Sequence, residues 1–259
     1  MLLVYTLIFL AHLALTLWFY VSGTHASTLN FAYNLFYCSF ALLPIVTALR
    51  YRSRYPTLRP ILHTAILSNI CIIVAQSIWF YFNVSGIEIP YPSLADFFFL
   101  LFYPTNAYLL LCLTRHTQPP WTLSTWSTLL LLILVFGGLI FVFLSTNLDF
   151  SLSLPVLILN LTYPLCDAIL AALGVTLLRH QPTLGYRYLF LFVFAYIFIA
   201  IADVIFSLHS TGGLYWNGNF VDLIYATSYF ILALGVYYFP ALTATAASDN
   251  APSIPPVAP

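Results

Sequence analysis

SLADFFFLLFYP, residues 93 to 104, sets one carboxylate, Asp96, at the mouth of an apolar run, an expensive place for a charge. Six uncharged residues separate it from Tyr103-Pro104, and the next charge along the chain is Arg115. A helix needs about twenty mainly apolar residues to cross the ~30 Å hydrocarbon core of a bilayer. The run from 94 to 114 meets that requirement.

Seven further runs of the same kind flank it, at 2–22, 30–49, 61–84, 123–145, 155–178, 187–209 and 219–240. The 259 residues are 62% apolar and 5% charged, and seven arginines with seven acids cannot make a water-facing surface. Membrane barrels alternate apolar and polar residues in short segments, whereas these runs are continuously apolar. The expected fold is an all-α polytopic bundle of eight transmembrane helices over residues 1–240. Its first run lacks a basic flank and a small-residue cleavage site, so it reads as a retained helix. Beyond Pro240, ALTATAASDNAPSIPPVAP cannot bury a core, and 241–259 is expected to be a disordered cytoplasmic tail.

Orientation follows from arginine. Arg50, Arg52, Arg54 and Arg59 lie in the second connection, Arg115 in the fourth, and Arg179 and Arg187 flank the sixth. The positive-inside rule makes those connections and both termini cytoplasmic in a multi-pass protein of the plasma membrane. Glu88, Asp149, Asp96 and Asp222 then lie toward the outside. Prolines at 56, 60, 119, 120 and 182 mark the inner loops as turns.

Several function classes are excluded. No lysine occurs, so a retinal or pyridoxal Schiff base cannot form. Cys38, Cys71, Cys112 and Cys166 all fall within spans without a CxxC spacing, which implies neither a disulfide framework nor a metal knuckle. No cofactor, metal or catalytic set is read from the chain, and nucleic acid is not a plausible partner of this membrane-embedded sequence of zero net charge. The histidines do not pair at one depth: His12 is midway in the first span, His63 near the inner end of the third and His209 at the outer end of the seventh. His25 and His209 could meet only outside, and His116 and His180 follow arginines at inner ends.

Matched at an offset of 126, the chain repeats itself. Asn34, Leu35 and Tyr37 recur as Asn160, Leu161 and Tyr163; Pro56-Thr57-Leu58 as Pro182-Thr183-Leu184; Phe80 as Phe206; Asp96 as Asp222; Tyr103 as Tyr229. A constant offset through helices and loops points to duplication, with units of about 1–118 and 119–240. Four spans per unit give both units one orientation, so the repeat is parallel, unlike the inverted repeat of many transporters.

Four aspartates fall within the spans. At ~1.5 Å per residue, Asp96 and Asp222 lie near the outer surface, Asp203 about two turns in and Asp167 near the midplane. A carboxylate at the midplane costs at least ~2.5 kcal/mol. Asp167 must therefore be protonated, paired, hydrated or in contact with a ligand. The same outer half carries Gln76, Ser77, Tyr103, Asn106, Asn160, Tyr163, Tyr225 and Tyr229, and Ser77 corresponds to Asp203 at the repeat offset. The expected ligand site is an outward-facing polar cavity between the repeats, built from Asp167, Asp203, Asp222, Asp96, Tyr163, Tyr103, Tyr229, Gln76 and Asn160. Interhelical Tyr–Asp and Asn–Asp hydrogen bonds also glue membrane bundles without any ligand. That alternative weighs most for Asp96 and Asp222, where a helix N-terminus favours an anion.

Pro92-Ser93-Leu94-Ala95-Asp96 with Tyr103-Pro104, Tyr163-Pro164-Leu165-Cys166-Asp167, Ala202-Asp203, and Gly213, Tyr215, Gly218 and Asp222 in GLYWNGNFVD together make a pattern. The sequence resembles the multi-span sensory domains N-terminal to bacterial diguanylate cyclases and cyclic-di-GMP phosphodiesterases, from the third span to the eighth. The resemblance implies an input module that controls a cytoplasmic enzyme. This chain ends without a GGDEF or EAL domain, so a stand-alone relative would signal through a cytoplasmic or membrane partner. Its ligand would be a small molecule or lipid headgroup, with the bilayer as its other partner. Two other readings stand beside this non-enzymatic one. Parallel repeats permit a small transporter, or a structural subunit of a larger complex. Ala202-Asp203-Val204-Ile205-Phe206 is similar to a segment of eight-span lysoplasmalogenases, which implies an aspartate-dependent lipid hydrolase. The companion acid expected there in the third span is replaced by Gln76 and Ser77.

Overall fold

The computed structural model describes residues 2–23, 27–115, 121–179 and 187–249. Its helices are α1 (Leu2–Ser22), α2 (Ser27–Arg54), α3 (Arg59–Ser85), α4 (Leu94–Arg115), α5 (Leu123–Asn147), α6 (Leu154–Arg179), α7 (Arg187–Thr211) and α8 (Phe220–Asp249). A single 3-10 turn, Pro56–Leu58, joins α2 to α3. No strand occurs among the described residues. All eight helices are long and apolar enough to cross a membrane. His25, His116, His180 and the prolines at 119, 120 and 182 lie outside the described residues.

These segments are helical because hydrocarbon offers the backbone no partner, and an unpaired N–H or C=O there costs several kcal/mol. Even the shortest, α1 with 21 residues, reaches about 31 Å at ~1.5 Å per residue. Pro44, Pro104 and Pro164 sit inside α2, α4 and α6 without ending them. Gly86 closes α3 in the left-handed conformation (φ 65°), its N–H bonded to Phe82 O. Helix α8 continues to Asp249, so the expected disordered tail from 241 meets a helix through that residue, and 250–259 lie outside the described residues.

Six helices form a closed ring in the order α2, α3, α4, α6, α7, α8, each packed on the next and α8 back on α2. Helix α1 lies outside the ring against α2 and α8, and α5 lies outside it against α6 and α7. Their composition explains this placement: α5 buries only Thr125 and Leu144 and turns a leucine- and phenylalanine-rich surface outward. Small residues let ring helices approach closely. A Cβ on Gly174 of α6 would stand 2.6 Å from Val193 Cγ2 of α7.

Alternation of the helices brings the backbone positions of all seven arginines to one end of the bundle. At this arginine end, Arg59 Nε donates to Arg52 O (3.2 Å) and Arg179 Nη1 donates to Thr128 Oγ1 (2.9 Å). The opposite end carries the N-termini of α4 and α8.

Candidate functional site

The two helix starts at that opposite end are built alike. Ser93 caps α4: its Oγ accepts from Ala95 N (3.2 Å), and the Asp96 carboxylate reaches back to Ser93 N (2.5 Å) and Ser93 Oγ (3.0 Å). Asn219 caps α8: its Oδ1 accepts from Val221 N (2.9 Å), and the Asp222 carboxylate reaches back to Gly218 N (2.6 Å). Both acids stand three residues after the cap; the first start is a capping box, whereas in the second the acid reaches one residue further back, to the N–H before the cap. Each acid also takes a phenol, Tyr163 OH on Asp96 (2.7 Å) and Tyr215 OH on Asp222 (2.9 Å). Expected at a rim, both are buried, at 6% and 3% exposure. Gly218 is required here because its φ is +97° and a Cβ would stand 2.8 Å from Phe19 Cδ2.

One turn further in, the bonds cross between helices. Asp203 of α7 accepts from Tyr103 OH of α4 (2.9 Å) and from Tyr225 OH of α8. Tyr91 OH, in the connection before α4, donates to Asn160 Oδ1 of α6 (2.7 Å). Asp167 of α6 is fully buried, neither of its carboxyl oxygens makes a hydrogen bond of proper geometry, and its carboxyl faces Asp203 and Tyr103.

Between these groups lies a cavity of about 80 Å³. Its walls come from both halves of the ring at regular spacings. Tyr37 and Tyr163, Asp96 and Asp222, Phe99 and Tyr225, and Tyr103 and Tyr229 line it as pairs 126 positions apart. On α3 and α7 the spacing is 127, with Ile72 and Ile199, Gln76 and Asp203, and Trp79 and Phe206. Ser77, expected to match Asp203, is exposed on the outside of the bundle, and Gln76 holds the inward position.

Of the residues expected to form the site, Asp96, Asp203, Asp222, Tyr103, Tyr163, Tyr229 and Gln76 line the cavity. Asp167 and Asn160 do not. One helical turn separates Asp167 from Tyr163, which places it on the same face of α6 but behind the cavity floor. Asn160 spends its carbonyl on Tyr91, and its amide nitrogen has no partner.

Sequence reasoning missed the asparagines at the cavity mouth. Asn83 Nδ2 donates to Asn34 Oδ1 (3.2 Å) and Asn217 Oδ1 (3.1 Å), and Asn217 Nδ2 donates to Asn30 Oδ1 (2.5 Å). This cluster ties α2 and α3 to the connection before α8. Only the recurrence of Asn34 as Asn160 hinted at it. A second polar cluster lies deeper: Asn106 Nδ2 donates to Ser68 Oγ (2.5 Å), and Tyr196 OH donates to Asn106 Oδ1 (3.0 Å). All three residues are buried, and they join α3, α4 and α7.

The electrostatics are one-sided. Among the described residues, three carboxyl groups line the cavity and no arginine or histidine does. Outside the spans, burial and then Asp96 and Asp203 push the Tyr91 phenol up, and burial and then Asp222 push Tyr215 up, so both are donors at neutral pH. Among the described residues no three His, Cys, Asp or Glu converge to hold a metal ion. The acids stand apart on the walls, each satisfied by N–H or O–H groups without a counter-charge.

No family model matches the chain, nor does any curated protein or solved structure.

Proposed function

We propose that the chain is a non-enzymatic sensor or ligand-binding module of the plasma membrane, with both termini cytoplasmic and the cavity open to the outside. It has two parallel four-helix units, α1–α4 and α5–α8, whose shared boundary holds the ligand. The observation that carries this reading is the cavity itself, lined from both halves by acids, phenols and one amide at paired positions. The like-built caps at Ser93–Asp96 and Asn219–Asp222 support the two-unit organisation. So do the two seams of the ring, α4 on α6 and α2 on α8, which exchange when the units exchange. A ligand touching both units favours one relative placement of them, and a signalling partner on the arginine side reads that placement. A ligand shifts such an equilibrium only by its differential affinity for the two placements.

Transport through the same cavity is supported less, because the buried Ser68–Asn106–Tyr196 cluster sits beneath the cavity. A hydrolase with paired acids is supported less again, because Asp167 lies outside the lining.

A thermal-shift screen of cationic, neutral and anionic small molecules against the purified protein tests the reading. Compounds that stabilise the parent and lose their effect in Asp203→Asn or Gln76→Leu support it. A screen in which every stabilising compound acts equally on the variants sinks it.

A further inference from the structure

We propose that the cavity's ligand is a small organic cation, an alkylammonium compound whose charge sits by Asp203 and whose carbon body lies against the aromatic walls. This deepens the binding-module reading and rests on it.

Charge comes first. Asp96, Asp203 and Asp222 line the cavity, no described lining residue is basic, and the chain contains no lysine. Donors of neutral groups satisfy each carboxylate without neutralising it. Behind the floor, Asp167 is 0% exposed, has no hydrogen-bond partner and faces Asp203 and Tyr103, which adds a fourth acid to the same region. A buried acid is protonated, hydrogen-bonded or paired with a cation, and with no basic residue among the described lining residues a cation that pairs here comes from outside the chain.

The walls then decide which kind of cation. A bare metal ion needs several ligands converging at 2.0–2.6 Å or so, roughly, and among the described residues no such group of acids exists. Instead the charge is spread over the walls, between the faces and edges of Trp79, Tyr103, Tyr163, Phe206 and Tyr229. Trp79 and Phe206 meet edge-on at 5.9 Å, and Tyr103 and Tyr163 lie tilted to one another at 6.2 Å. Alkylammonium groups are attracted to aromatic rings, and a strongly hydrated metal ion cannot use their carbon surface. The Trp79 Nε1–H, with no partner in the wall, is free to meet a hydroxyl or carbonyl on the ligand. A cavity of about 80 Å³ suits a small ligand and excludes a folded lipid.

Choline, butylammonium and 3,3-dimethylbutan-1-ol, the uncharged isostere of choline, are the probes, titrated into the full chain in nanodiscs with thermal shift and tryptophan fluorescence as readouts. At least one ammonium probe is expected to saturate, and the isostere to bind at least about tenfold more weakly, a ratio worth 1.4 kcal/mol or so, roughly. Because this comparison uses the unaltered protein, it does not depend on a variant folding. Asp203→Asn is expected to weaken the ammonium probe about tenfold while exposed Asp149→Asn leaves it unchanged. Equal binding of choline and its isostere overturns the proposal, as does an undiminished Asp203→Asn. Failure of all ammonium probes while neutral or anionic screen compounds bind in the cavity overturns it and leaves the binding module standing. If no compound of any charge depends on the cavity, both readings fail.

Discussion

Replacing the deep acid and a cap acid by their amides is expected to move stability in opposite directions. An ionised carboxylate costs about 2.5 kcal/mol at the midplane relative to a neutral residue, and about 2 kcal/mol for Asp203, which lies nearer the outer surface. It holds two phenols, and interhelical hydrogen bonds in membrane bundles are worth about 0.6 to 1.7 kcal/mol each. Asn at 203 keeps one acceptor and the same shape, so it gives up about 1 kcal/mol and recovers about 2 kcal/mol. The variant Asp203→Asn should be more stable by about 1 kcal/mol. Asp222 differs because it sits in the first turn of α8, where the helix dipole favours an anion by about 0.3–1 kcal/mol and its carboxylate accepts from both Gly218 N–H and Tyr215 OH. Asp222→Asn keeps only one of those acceptors and loses the dipole term, a net loss of about 1 to 2 kcal/mol. Thermal unfolding of both variants and the parent in one detergent, at about 2–4 °C per kcal/mol, resolves the difference. If Asp203→Asn falls as far as Asp222→Asn, Asp203 is a structural strut and the case for a ligand loses its centre.

Gly174→Ala should lower stability by about 1–3 kcal/mol, since the added Cβ meets the stiff Val193 side chain at 2.6 Å; an unchanged melting point would show that α6 and α7 can slide apart freely. His12 is fully buried among Tyr33, Tyr37 and Phe40 with neither ring nitrogen bonded, so His12→Leu should hold or raise the melting temperature, and a fall would show that the imidazole has a partner in the membrane. Asn106→Leu should cost about 1–3 kcal/mol by stranding Ser68 and Tyr196, and Tyr196→Phe about 1 kcal/mol; equal melting of both variants and the parent would remove the cluster from the account. The raised phenols of Tyr91 and Tyr215 stabilise the fold fully below the ordinary tyrosine value of about 10 and lose that contribution as pH climbs toward their native values. Stability measured from pH 9 to 12, roughly, should therefore decline less steeply in Tyr91→Phe than in the parent, and parallel curves would contradict the assignment.

Span number and helix identity were legible because bilayer thickness and backbone satisfaction leave few choices: runs of about twenty apolar residues became the eight helices, with ends close to those expected except that α2 runs on to Arg54 and α8 to Asp249. The position of Asp96 and Asp222 near helix starts was legible too, because a helix N-terminus favours an anion, while the Ser93 and Asn219 caps came from the structure. Local pattern could not say which side of α3 faces inward. A shift of one position moves a helical side chain by about a quarter of a turn, and packing on α2 and α4 turned Gln76 into the cavity and Ser77 out. Depth along a helix suggested Asp167 as the site's centre, but only the closing of six helices into a ring decided where the empty space ends. That floor falls between Tyr163 and Asp167, so Asp203, within reach of Tyr103 from α4 and Tyr225 from α8, lines the cavity, and Asp167 supports it from behind. The asparagines at the mouth belong to the same class, because four side chains from three separate segments meet only once the ring has formed. Sequence by itself determined the elements, which depend on near neighbours and on the solvent. Tertiary structure decided the site, because a cavity belongs to no single helix.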